Sequence, residues 1–458
     1  MIQIDSTLTV STLKSQLERL FELSAHKIRS IHHRWDPSNG APVLTIEGRY
    51  ASRGWTEWTQ GFQFGSAILQ FDATGDKSFS ELGREGTLQH MASHVSHTGV
   101  HDHGFNNIST YGNLRRLMNE GRISANPWER HFCELALKVS GAVQAARWTD
   151  LGNDQGFIFS FNGPHSLFSD TIRSLRSLAV AHRLGHVLMG EKDSRISLLH
   201  RLIRHAECTA RYNVYFGKGR DAYDVPGRVV HESIFNIRDG SYRCPSSQQG
   251  YSSFTTWTRG HAWILCGYAE QLAFFETLSE EELEPYGGKR TLLGFFRGVA
   301  ETTANYYLDQ ASTDGIVYWD TGAPGLARMG DYRNRSSEPD NDFEPVDSSA
   351  ASIAAQGLLR LGQYLRTHHD ETAGTRYRQA ALTIAKHLFS APYLSESPAH
   401  EGLILHSIYH RPNGWDHTPS GKKIPMGEAS MWGDYHAREL GLMLLREAKG
   451  EPEYRFFD

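Results

Sequence analysis

Four aspartates, one arginine and three tryptophans gather at the starts of alternate helical segments of this chain. They are Trp58, with Phe62, in TEWTQGF; Asp102 in HDHGF; Asp170 in SLFSD; Arg259 and Trp263 in TWTRGHAW; Asp347 in PVDSSA; and Trp432 with Asp434 in MWGDY. Aromatic faces stack on sugar rings, and paired carboxyls do acid and base work. Each helix N-terminus adds roughly half a positive charge, and Arg259 offers a bidentate fork, so the expected ligand is an anionic sugar. Each residue also has a structural alternative. Asp at a helix start caps the free amides of the first turn, a tryptophan fills core volume, and an arginine pairs with a structural carboxylate. What favours a site is their joint occurrence on one set of helices. The run His90, His94, His97, His101, His103 has the i, i+4 spacing of a metal face, but it lacks HExxH and crosses a helix end at Gly99, so no metal is expected. Phosphate-cradling glycine motifs and a GxSxG elbow are also missing, and no organic cofactor is implied.

Those residues must be held by helices. Apolar positions at i, i+3, i+4 and i+7 predict twelve segments: 8 to 28, 57 to 72, 78 to 97, 104 to 120, 126 to 147, 168 to 187, 193 to 214, 258 to 279, 286 to 309, 347 to 366, 371 to 391 and 430 to 448. Gly75 with Asp76, Asn126 with Pro127, and Gly190 with Asp193 punctuate short joins, which imply helical hairpins. The longer stretches 29 to 56, 215 to 257, 310 to 346 and 392 to 429 each precede an even-numbered helix, and segments 41 to 50 and 227 to 237 read as strand pieces. Twelve antiparallel helices close economically as an inner and an outer ring. The expected fold is therefore an all-α (α/α)6 barrel, residues 1–458 forming one catalytic domain, with long loops and small β insertions at the active-site end. All even helices then point the same way and bring their N-termini to one rim.

Composition narrows the function classes. The 458 residues carry 47 Lys and Arg against 52 Asp and Glu, net charge -5, with no long basic run, so the electrostatic footprint of a nucleic-acid binder is missing. No stretch reaches the roughly 18 apolar residues of a membrane span. MIQIDSTLTV has neither a basic nor an apolar leader region, and Cys133, Cys208, Cys244 and Cys266 are scattered without a CxxC pair. A cytoplasmic location with free thiols is the expectation.

These segments, in this order, resemble the unsaturated glucuronyl hydrolases of glycoside hydrolase family 88. The likeness rests on WTQGF at Trp58 to Phe62, HDHGF at His101 to Phe105, the Asp170 helix start, QQGYSSFTTWTRGHAW from Gln248 to Trp263, and DSSAASIAAQGLLRL from Asp347 with MWGDY from Met431; VYWDTGAPG from Val317 is a weaker sixth. The resemblance implies an (α/α)6 barrel and no cofactor. It also implies removal of a Δ4,5-unsaturated uronic acid from the non-reducing end of oligosaccharides left by polysaccharide lyases. In that chemistry a carboxylic acid protonates C4 of the enol ether, water adds at C5, and the aglycone leaves when the hemiketal opens. Carried over by position, Asp170 matches the general acid and base, with its pKa expected to be raised. Asp102 matches the second carboxylate and His231 a histidine beside the attacking water. His101, Gln249, Arg259 and Trp263 match substrate-binding positions, and Trp58 and Phe62 an aromatic wall. Gln248, His103 and His261 depart from the usual pattern, which bears on the aglycone. Ser420, Lys422 and Lys423 in GWDHTPSGKKI suggest a sulfated glycosaminoglycan substrate, with fragments of algal or bacterial polysaccharides as other sources. The protein is expected as a monomer or homodimer. Competing functions are the related family 105, which acts on rhamnogalacturonan, a sugar epimerase or isomerase on the same barrel, and a barrel that binds sugar without turnover.

Overall fold

The computed structural model describes residues 1–54, 57–124, 126–368 and 370–457. Six helical stretches form an inner ring: Gln60–Thr74; His103–Asn107, continued through a π turn Ile108–Gly112 into Asn113–Asn119; Thr171–Ser174 with Arg176–Arg183; Thr258–Glu276; Ser348–Thr367; and Met431–Ala448. Each touches the next in this order, and the last packs on the first, so the ring closes as an α/α barrel. Six others, Lys14–Arg34, Lys77–His90, Pro127–Ala146, Leu198–Asn213, Lys289–Gln310 and Glu371–Leu388, lie outside it.

Patterning separates the rings. Lys14–Arg34 buries Leu17, Leu20, Phe21, Ser24, Lys27, Ile28 and Ile31, one stripe at helical spacing, and leaves its other face in water. Every residue from Met431 to Arg446 is buried, as is every residue from Thr258 to Leu272, because an inner helix is enclosed on all sides. Inside the ring, Arg173 and Arg176 face Glu270 and Glu439, with Nη1 of Arg176 at 3.5 Å from each acid and Nη2 of Arg173 at 3.3 Å from Glu439. This buried ion cluster ties the third inner helix to the fourth and sixth. Small residues set the ring's spacing: a Cβ on Gly104 would lie 2.1 Å from the carbonyl oxygen of Ser174, so only glycine permits that approach of the second and third inner helices.

Two helix boundaries flanking one join differ from expectation. The predicted helices 168 to 187 and 193 to 214 are shorter, ending at Arg183 and starting at Leu198. Between them Val187–Met189 pairs antiparallel with Arg195–Ser197 through a turn in which Lys192 and Asp193 have positive φ, a conformation helices do not accept. That hairpin lies at the end opposite the inner-helix starts. The other small sheets fall on the loops that precede inner helices. Leu44–Ile46 pairs with Arg49–Ala51, Trp148–Gly152 with Gln155–Ile158, and Glu232–Phe235 lies between Ser166–Phe168 and Tyr242–Ser246. Segments 41 to 50 and 227 to 237 both contribute strands. All four cysteines are free, Cys244 exposed and the others buried. No helix among the described residues is long and apolar enough to cross a membrane.

Candidate active site

A cavity of about 220 Å³ opens where the inner helices begin. Asp102 and Asp170 both line it, 7% and 8% exposed. Each directly precedes an inner helix, yet neither side chain caps it. The other two acids behave differently. Asp347 accepts from the amides of Ser349 and Ala350, and Asp434 accepts from the amides of Leu403 and Ile404 and from the Tyr50 hydroxyl. Four acids with one sequence context thus divide into two that stabilise backbone and two that face a cavity.

The two cavity acids are joined by His101, whose Nε2 is 3.2 Å from Asp170 Oδ1 and 3.9 Å from Asp102 Oδ1. Its carbonyl oxygen accepts from Ser174 Oγ at 2.7 Å and Gln144 Nε2 at 2.8 Å, so the segment before the second inner helix is stitched to the third. The Gly104 amide donates to the same Ser174 hydroxyl at 2.8 Å. The charges are strongly coupled. Burial opposes a cation at His101, but the two carboxylates hold its pKa above the ordinary imidazole value. Burial pushes Asp102 up from the usual carboxylate range. Asp170 is also pushed up by burial, but His101, with help from His231 and Arg259, brings it to a net position below that range. Asp170 is therefore shifted down where the sequence reading expected it raised, because the imidazole sits closer to it than to Asp102.

His231 lies fully buried between Phe168 and Trp257, with ring centroids at 4.4 and 4.7 Å. Its Nδ1 accepts from the amides of Gln248 and Gln249 at 3.0 and 3.3 Å, which places the proton of the neutral ring on Nε2; burial lowers its pKa to about 4. That Nε2 has no partner among the described residues.

Arg259 corrects the sequence reading. It is 1% exposed in the cavity wall, not an open fork at the lip. Nη1 donates to Asp347 at 3.2 Å and to the carbonyl of Ile408, and Nη2 donates to the carbonyl of Tyr409 at 2.8 Å and to Gln249 Oε1 at 2.9 Å. Its guanidinium is sandwiched by Trp257 and Trp432, 4.6 and 4.8 Å from their ring centroids. Arg259 thus supplies fixed positive charge and orients Gln249, whose amide nitrogen is turned the other way.

Among the aromatics, Trp58 lines the cavity, stacked on Trp432 at 5.1 Å, and Trp263 lines it beside Phe105 at 4.8 Å. Phe62 does not. It is fully buried behind Trp58, edge-on at 5.9 Å, so it supports the wall without forming it. Trp432 is also behind the wall, donating to Ser349 Oγ at 3.0 Å. Glu57, His97, Phe161, Gln248, Trp257, Tyr409, His410 and Trp415 also line it. Most come from long loops, where no periodicity tells which side chain turns inward; length alone marked those loops as functional. Of the histidine run, His97 and His101 reach the cavity, whereas His103 bonds Ser140 and the His97 carbonyl, and no three metal-ligating groups converge among the described residues. Ser420, Lys422 and Lys423 are not in the lining. Lys422 pairs with Asp340 at 2.6 Å and Lys423 with Asp342 at 2.7 Å.

No family model matches the chain. Individual relatives do. It is 25% identical over 412 residues to an unsaturated glucuronyl hydrolase of Bacillus sp. (strain GL1), covering 88% of this chain and 90% of the relative. It is 23% identical over 393 residues to an unsaturated chondroitin disaccharide hydrolase of Streptococcus agalactiae serotype III, covering 84% and 80%. The crystal structure of the Bacillus sp. GL1 unsaturated glucuronyl hydrolase superposes with a TM-score of 0.69 at 21% identity, covering 94% of this chain and 96% of that one.

Proposed function

We propose that this chain, a relative of the unsaturated glucuronyl hydrolases of glycoside hydrolase family 88, removes a Δ4,5-unsaturated uronic acid from the non-reducing end of oligosaccharides. The observation that carries the reading is the pair Asp102 and Asp170, uncapping acids that face one cavity with His101 between them. The whole barrel acts as one catalytic domain. The cavity of about 220 Å³ takes the uronate at its buried floor.

Asp170, protonated, delivers its proton to C4 of the C4=C5 bond. Positive charge develops at C5 and is shared with the ring oxygen, and the Asp102 carboxylate is placed to stabilise it. Water then adds at C5, giving its proton to the Asp170 carboxylate and restoring the acid. The resulting hemiketal opens to a ketone at C5, and C1, now a hemiacetal, expels the aglycone as an alcohol; one water is consumed. Neutral His231 donates from Nε2 and orients that water. Gln249, aligned by Arg259, donates to the sugar, and Trp58 and Trp263 pack on its faces. The uronate carboxylate adds a negative charge and expels water from the site. Both effects raise the pKa of Asp170 toward the protonated state the first step needs.

Loss of the ultraviolet absorbance of the conjugated C4=C5 bond tests the reaction directly. A hydrolase abolishes it, whereas an epimerase or isomerase leaves it unchanged. A preference for unsaturated rhamnogalacturonan fragments over glucuronyl disaccharides would assign the family 105 reaction.

A further inference from the structure

Exposure grades the cavity from floor to mouth. Arg259, His101, Phe105 and Trp263 are at most 2% exposed, whereas Glu57, His97, Phe161, Gln248 and Trp415 are each only partly buried. With the uronate on the floor, the second sugar lies among that outer group. Three facts define its surroundings. Trp415 presents an indole at the mouth, braced by Tyr409 at 5.3 Å and His410 at 4.8 Å, and Arg53 Nη2 donates to its carbonyl at 2.6 Å. Glu57 contributes a carboxylate for which no ion pair is formed among the described residues. Arg259 is the one Lys or Arg in the described lining, and its terminal nitrogens are held by Asp347, Gln249 and two carbonyls. The lysines of the following turn, Lys422 and Lys423, face Asp340 and Asp342.

Resting on the hydrolase reading, we infer that Trp415 and Glu57 form an aglycone subsite selective for a neutral, unsulfated sugar. The indole stacks on the sugar's apolar face, and the carboxylate accepts from its hydroxyls. A sulfate there would meet a like charge, and among the described lining residues the one Lys or Arg is Arg259, already held. This reverses the expectation of a sulfated substrate drawn from Ser420, Lys422 and Lys423.

The experiment pairs a Δ4,5-unsaturated glucuronyl–N-acetylhexosamine disaccharide with the same disaccharide carrying one sulfate on the hexosamine, followed by absorbance loss at fixed ionic strength. Wild type is expected to favour the unsulfated compound at least tenfold in kcat/KM. Glu57→Gln should narrow that ratio at least threefold, and Trp415→Ala should raise KM for the unsulfated compound about fivefold or more. Equal rates on the two compounds, or a ratio untouched by Glu57→Gln, would overturn the assignment while leaving the hydrolase reading standing. Absorbance unchanged with both compounds would instead overturn the hydrolase reading and the subsite with it.

Discussion

Replacing Asp170 by Asn keeps side-chain volume and still offers His101 Nε2, 3.2 Å away in wild type, a hydrogen-bond partner. It removes the one group that can both donate a proton to C4 and take it back. General acid and base catalysis contributes typically 10²-fold to 10⁴-fold, or about 2.7 to 5.4 kcal/mol of barrier at 1.36 kcal/mol per decade. Because Asp170 is 8% exposed and caps nothing, its loss leaves the helix start and cavity shape intact. KM, or the affinity measured by calorimetry, is therefore expected to stay within about threefold of wild type while kcat falls by the full factor. The absorbance assay reads kcat and KM together. A variant that keeps half the wild-type rate, or one whose loss is all in KM, would show that Asp170 is not the proton carrier.

His101 carries the linked pH prediction. Its pKa is raised in the folded protein, so its contribution to stability is full below the ordinary imidazole value of about 6.5 and is lost as pH rises through the higher folded value. The Tm gap between wild type and His101→Asn should shrink from pH 6 to pH 9 in thermal unfolding; a gap that widens contradicts the coupling. Arg259→Met leaves Asp347 and the carbonyls of Ile408 and Tyr409 without their donor, and should cost about 3–5 kcal/mol in denaturant unfolding, whereas a loss below 1 kcal/mol would mean the guanidinium is not the strut described. Asp416 accepts from the amides of Tyr409 and His410 at 2.5 and 2.9 Å, and burial pushes it up to about 6. Wild-type KM should rise as pH falls through about 6 and that latch takes a proton, and the rise should vanish in Asp416→Asn. Gly104→Ala forces a Cβ against the Ser174 carbonyl, and should lower both Tm and kcat by moving Asp102 relative to Asp170; wild-type activity in a well-folded variant would refute the spacing role.

Parity of helices was legible because short joins imply antiparallel hairpins: consecutive helices alternate in direction, and that alternation chooses the rim where Asp102, Asp170, Arg259 and Trp263 meet. What the pattern could not carry was the destination of a polar group whose partner is far along the chain. Arg259 is held by the carbonyls of Ile408 and Tyr409, 149 and 150 residues away, so its side chain reads from sequence as a free fork. Phe62 is four residues from Trp58, one helical turn, yet the ring it presents is the one covered by Trp58. Glu57 opens the predicted segment 57 to 72 and Trp415 lies in the long stretch 392 to 429, where no periodicity declares a side chain's direction.

The contrast between Asp347 and the two cavity acids has a local backbone cause that composition does not contain. An N-cap carboxylate reaches the amides two and three residues ahead when its own backbone is extended, as at Asp347 with φ -123 and ψ 94. Asp102 has φ -90 and ψ 19, and Asp170 has φ -74 and ψ -21, close to helical values, so their carboxyls leave the helix axis and project past its end. These angles separate Asp347 from Asp102 and Asp170; Asp434, inside a helix capped by Ser430, is held by the amides of Leu403 and Ile404. The residue before Asp102 is tied through its carbonyl to Ser174 and Gln144, and the residue before Asp170 through its amide to the His231 carbonyl, so both acids enter their helices from a fixed backbone.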